Sequence, residues 1–252
     1  MEPTDHDPRG ARPASGAPDT TDGAATLAAG ATSEHPLGPQ AAQILGNEHW
    51  SLLAARSLIW NEAMSRATVF LTVLSASIIA LALLADATGF GAQTTALALV
   101  LLPVVFFLGL AAYARLVQIN AEELQLVLAM NRLRHAYLEI EPGLERYFTT
   151  GHHDDEQGVL ATYMMGRPVQ QSLGASFALV NTPTIVATVD AALAAAIVVL
   201  LLQVAEAPRA AAVAGGAVAF LAVWGVLFRQ QLHSLRPFRN TTRRFPTPPD
   251  RP

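Results

Sequence analysis

Residues 67–85, ATVFLTVLSASIIALALLA, and 92–114, AQTTALALVLLPVVFFLGLAAYA, are uncharged runs of 19 and 23 residues. Only Asp86, Ala87 and the Thr88-Gly89-Phe90-Gly91 turn separate them. A helix rises about 1.5 Å per residue, so roughly 20 apolar residues cross the ~30 Å of bilayer hydrocarbon. Each run is long enough. Together they predict a hairpin of two transmembrane helices.

Working outward, the helix of the first run is expected to begin near Gln40 and to enter the membrane unbroken. Trp50, Leu53, Ser57, Trp60 and Met64 recur at spacings of three and four, a narrow helical stripe. Trp60 lies about two turns before the apolar run, at the depth where indoles anchor to the membrane interface. An amphipathic helix lying on the bilayer is the competing reading. Beyond the second run, Arg115 marks the membrane exit. Ile119, Glu123, Leu126, Met130, Leu133, Tyr137 and Ile140 then form a heptad-like stripe on a helical stalk. Its partner is either the stripe on the first helix or the same stripe in another subunit. Glu141-Pro142-Gly143 ends the stalk, because proline cannot continue a helix.

The sequence divides further on the same logic. Residues 1–39 hold six prolines and five glycines among small polar residues. They bury too little apolar surface to offset ordering entropy and are expected to be disordered. Residues 141–182 form a polar linker with a short helix, capped by Asp154 with Gln157 three residues on. Within it, 169–181 is weakly apolar and reads as interfacial or as an extended lead-in. A second transmembrane hairpin spans 183–228, with Thr182 as N-cap and Pro183 at the first helical position. Its spans are 183–205 and 210–228, joined by Glu206-Ala207-Pro208-Arg209. Residues 229–252 are a tail rich in arginine and proline, expected to be unstructured beyond Pro237. The fold class is therefore all-α: a four-helix integral membrane protein, with a long stalked hairpin followed by a second hairpin.

Composition agrees. Hydrophobic residues make up 52% of the chain and charged residues 14%, well below the quarter usual for soluble domains. All sixteen basic residues are arginine, and the absence of cysteine excludes disulfides and thiolate chemistry. No cleavable signal peptide is apparent, since the first apolar run starts near residue 67. The arginines cluster before the first span, between the second and third, and after the fourth; Arg209 alone lies on the other side. The positive-inside rule then places both termini in the cytoplasm of a cell with an inner membrane.

Asp190 is the only ionisable residue inside a span. A charged carboxylate there costs at least a few kcal/mol, so such residues face the bundle interior or water. It sits roughly 10 Å into the bilayer. Equal depth places Ser75, Phe107 and Leu221 beside it, with Thr72, Ser75, Thr184 and Thr188 as hydroxyl donors. Asp190 reads as a proton or cation site, or else as a neutral acid hydrogen-bonded between helices. Pro103 deprives the Leu99 carbonyl of a partner and marks either a kink at a cavity or an ordinary membrane proline. Ala211, Gly215 and Ala219 form a small-residue ridge facing Ala187, Ala191 and Ala195, a close-packing pattern. His152-His153-Asp154-Asp155-Glu156 contains metal-ligand types, but its consecutive spacing fits a solvated acidic loop better. Arg236, Arg239, Arg243 and Arg244 fix topology or attract anionic lipid. No phosphate loop, nucleophile elbow, paired hydrolytic carboxylates or nucleic-acid surface is found.

The run NEHWSLLAARSLIWNEAMSRATVFLTVLSASIIALALL, residues 47–84, resembles a segment shared by multi-pass membrane proteins of high-GC bacteria that carry no assigned function. The layout of helix, two spans and stalk is also similar to two-span bacterial effectors of the SLATT type, proposed pore formers; the second pair of spans departs from that pattern. Taken together, these features lead to a non-enzymatic, self-associating membrane scaffold or sensor without cofactor or metal, partnered by the lipid bilayer and by copies of itself. No nucleic-acid partner or small-molecule substrate is expected. The alternative is an oligomeric channel or proton-linked permeation pathway built on Asp190.

Overall fold

The computed structural model describes residues 38–89, 91–165, 181–236 and 242–248. The leader 1–37, segment 169–180 and Arg239 lie outside the described residues. The chain is all-α, and four of its helices are long and apolar enough to cross a membrane. These are α1 (Pro39–Thr88), α2 (Ala92–Ile140), α4 (Thr182–Val204) and α5 (Arg209–Ser234). A 3-10 turn (Pro142–Tyr147) and the short α3 (Glu156–Tyr163) lie between the hairpins.

α1 and α2 fold back at Gly89, whose φ of 77° is open to glycine and strained for other residues. Each of these helices continues well past its apolar run, so the hairpin includes a paired extension. Arg115 grips Glu62 with two parallel bonds of 2.9 Å, and Arg56 meets Glu123 at 2.9 Å. Further along, the His49 and Tyr137 rings stack at 6.0 Å. The stalk stripe of α2 thus finds partners on α1 of the same chain.

Of the stripe expected on α1, only Met64 packs against the main core. The inward positions are Leu45, His49, Leu52, Arg56, Ile59 and Ala63, with the last five each one residue earlier than the expected stripe. Trp50 is 73% exposed and Trp60 58%. Arg56 and Glu62 each find an opposite charge on α2, and Ile59 and Ala63 turn into the core beside them. Ala63 and Phe70 continue the seam into the apolar run.

α2 is the hub. It packs along α1, α4, α3 and the 3-10 turn, and touches α5. Its residues Ala98, Leu102, Val105, Ala112, Tyr113 and Leu116 anchor the main core, which Val186, Ala187 and Leu193 of α4 complete. A second core forms beside the stalk from Leu124, Val127, Leu128, Val159, Leu160 and Leu235.

α4 begins one residue earlier than expected: Asn181 stands at the N-cap and Thr182 is helical. Its C-terminus closes in a Schellman arrangement, with Ala207 N–H bonding Leu202 O at 2.9 Å and Glu206 N–H bonding Gln203 O at 3.0 Å. The ridge of α5 is likewise rotated from expectation. Ala211 is exposed, and Ala212 and Gly216 are buried against α4. A Cβ at Gly216 would stand 2.6 Å from Val199 Cγ2, and one at Gly215 would stand 2.6 Å from Leu202 Cδ1. Gly215 therefore does meet α4, opposite Val198 and Leu202 and not the expected alanines, while Ala219 is half-buried.

Candidate functional site

Asp190 lies on the face of α4 formed by Thr184, Ala187, Asp190, Ala191 and Ala194, which turns into the bundle. Its side chain is 0% exposed and neither carboxylate oxygen has a hydrogen-bond partner. The carboxylate rests on Gly109 of α2: a Cβ there would stand 2.6 Å from Asp190 Cγ and 2.7 Å from Oδ2. Only glycine leaves room for it. Buried polar groups nearly always find partners, and one that does not is a place to look for function.

The neighbours expected from equal depth are different. Thr72 and Ser75 lie on the exposed side of α1, where their hydroxyls bond Thr68 O and Leu71 O at 2.8 Å. Phe107 is 67% exposed and Leu221 66%, so both face outward. Thr188 bonds Thr184 O at 2.8 Å and accepts from Trp224 Nε1 at 3.2 Å. Pro103 lies about two turns along α2 from Gly109, inside an unbroken helix. Depth alone fails here because α4 packs on α2 and has few contacts with α1. The missed residue is Gly109, whose signal was one small residue amid Phe106, Phe107, Leu108 and Leu110.

A buried polar ladder lies toward the stalk end of the same interface. Tyr113 donates to Leu227 O, and Thr184 Oγ1 bonds Gln231 Oε1 at 3.0 Å. These bonds join α2, α4 and α5 beneath Asp190.

The second structured region is the head beside the stalk, and here the acidic segment is not a solvated loop. Asp154 is 1% exposed. It accepts from Arg132 Nε at 2.8 Å, Arg244 N at 2.8 Å and Phe245 N at 2.9 Å, while its own N–H bonds Phe245 O at 3.0 Å. The cap of α3 is Asp155, not Asp154: its carboxylate takes Gly158 N at 2.8 Å, Thr247 N at 2.8 Å and Thr247 Oγ1 at 2.9 Å. Arg132 Nη2 also donates to Thr242 O at 3.0 Å. Residues 242–248 are therefore a docked strap, which corrects the expectation of an unstructured tail over that stretch.

Burial pushes the Asp154 carboxyl up, but the Arg244 and Phe245 N–H groups and Arg132 outweigh it and hold it below the usual range. Asp155 is also held low, its burial outweighed by Gly158, Thr247 and the nearby His153. Underneath, Asn131 is 0% exposed and fully engaged: it donates to His153 O and accepts from Arg134 and Thr162, each at 2.8 Å. The Phe245 ring stacks on His135 at 4.1 Å, and His152 and His153 lie 4.2 Å apart. Burial depresses the proton affinity of His152, reinforced by His153. Among the described residues no group of three or more metal-ligating side chains is arranged to hold an ion.

No protein-family description, curated protein or solved structure matches this chain.

Proposed function

We propose that the chain is a multi-pass inner-membrane protein without enzymatic activity, with both termini cytoplasmic, that self-associates as a scaffold or sensor. The arginine distribution supports the orientation. One observation carries the self-association: Trp50, Leu53 and Trp60 are exposed on the part of α1 that precedes its apolar run. Large apolar groups clustered outside the hydrocarbon mark interaction surfaces, and tryptophan is the residue most enriched at their centres. A second copy offers the same stripe, so an isologous pairing of α1 with α1 satisfies both. The test is the protein mass of the detergent-extracted particle by light scattering. The wild type is expected above monomer mass and Trp50→Glu/Trp60→Glu at monomer mass. A monomeric wild type ends this reading.

A second reading has its own observation, the partnerless carboxylate of Asp190. It is a proton-linked permeation pathway assembled from several subunits, because four spans packed on one another enclose little space. Wild type and Asp190→Asn are reconstituted in vesicles and proton flux is followed across pH. A difference supports the pathway; equal flux at every pH removes Asp190 from any mechanism.

A further inference from the structure

At the stalk end of the spans, level with the Glu62–Arg115 pair, two cavities flank the Arg56–Glu123 ion pair. One, of about 310 Å³, lies among α1, α2, Tyr163 of α3 and the start of α4. The other, of about 490 Å³, shares Arg56, Trp60, Ile119 and Glu123 and adds Leu53, Ser57 and Ile59. The first has a wall of hydrogen-bond donors. Asn120 Nδ2 and Asn181 Nδ2 are both buried without an acceptor, and Asn181, although at the N-cap of α4, makes no capping bond. Arg56 binds Glu123 through Nε and Nη2, which leaves Nη1 on the opposite edge of the fork. Glu123 lies in both linings and Ser57, Tyr163 and Thr182 add further polar groups; the remaining residues of both cavities are apolar.

Donors in search of an acceptor at one end, apolar walls at the other, and a position where hydrocarbon gives way to water describe a site for an amphiphile. Three donor groups on separate helices suit the two free oxygens of a tetrahedral phosphodiester, which accept bonds from several directions, better than the planar pair of a carboxylate, and the guanidinium supplies the charge-assisted bond. We propose that the two cavities together bind a lipid with an anionic phosphodiester headgroup. Asn120, Asn181 and Arg56 receive the phosphate, and the chain lies along Ile59, Trp60 and Ile119. Glu123, held by Arg56 and by the Tyr163 hydroxyl, fixes the guanidinium in place. The larger cavity shares Leu53 and Trp60 with the stripe proposed to pair two copies, so the two readings meet at that wall.

The test uses the full chain in nanodiscs of mixed phosphatidylcholine and phosphatidylglycerol, and counts lipid retained after transfer to detergent by native mass spectrometry. Phosphatidylcholine carries the same phosphodiester beside a cationic choline that the Arg56 guanidinium repels, so wild type is expected to retain phosphatidylglycerol over it by about tenfold, a preference that Asn120→Asp and Asn181→Asp abolish. Asn181→Asp improves the cap of α4, so its thermal stability should hold or rise while binding falls, which separates lost affinity from lost fold. Arg229→Gln, a basic residue outside the cavities, should retain lipid as wild type does. Equal retention of the two lipids, or an Arg229→Gln loss matching the asparagine variants, overturns the proposal. Complete displacement by inorganic phosphate alone overturns the lipid assignment; persistence of binding in its presence supports it.

Discussion

Asp190 and Gly109 make one unit out of two residues that look unrelated along the chain. The aspartate carries a buried carboxyl group with no partner, and the glycine gives it the only space it has. Gly109→Ala should destabilise the protein by about 1–3 kcal/mol through overpacking. In an Asp190→Ala background the added methyl meets nothing, and the penalty should vanish. Thermal unfolding in detergent of the two single variants and the double variant measures this coupling. Additive effects would mean that the two residues do not touch. Asp190→Ala alone should raise the melting temperature, because it removes a buried polar group that costs about 1–3 kcal/mol when unsatisfied. A residue retained against stability is the kind that function keeps.

The strap at 242–248 is the least sequence-like element of the fold. The four long helices were legible because hydrocarbon thickness imposes a run length that can be counted. Their rotational phase was not. On a helix that lipid surrounds, both faces are apolar, so hydrophobicity holds no angular information; on the extension of α1 before its apolar run, the large apolar residues Trp50, Leu53 and Trp60 mark a face that the fold leaves exposed. The phase is set instead by charges and small residues, as Arg56 and Glu62 do for α1 and Gly216 does for α5. The strap escaped for another reason. Asp154 and Asp155 bind backbone N–H groups about 90 residues away, and backbone donors leave no trace in side-chain pattern.

Its stability has a definite pH dependence. Both aspartates are held below their unfolded value of ~3.9, so their contribution is complete above that value and is lost as pH falls through the lower folded one. The strap should stay docked at neutral pH and release below about pH 4, as followed by proteolytic cleavage between 237 and 248. Asp154→Ala should release it at neutral pH, because it strands Arg132 and two backbone donors together.

At the scale of the whole molecule, two hairpins meet along α2. Within that interface Tyr113 makes the bond from α2 to α5, donating to a carbonyl that the helix itself leaves with a spare lone pair. Tyr113→Phe should lower stability by about 0.5–1.5 kcal/mol, read by thermal unfolding in detergent, without opening a cavity. The extensions of α1 and α2 carry the paired structure beyond the apolar runs, and the head gathers on the far side of the stalk. The strap gives this arrangement an order in time. The ribosome makes the acidic cradle 90 residues before Arg244, so α4 and α5 are synthesised while the cradle still lacks its last set of contacts. Closure of the head is therefore a late event in biogenesis, and it reports that the second hairpin has been made.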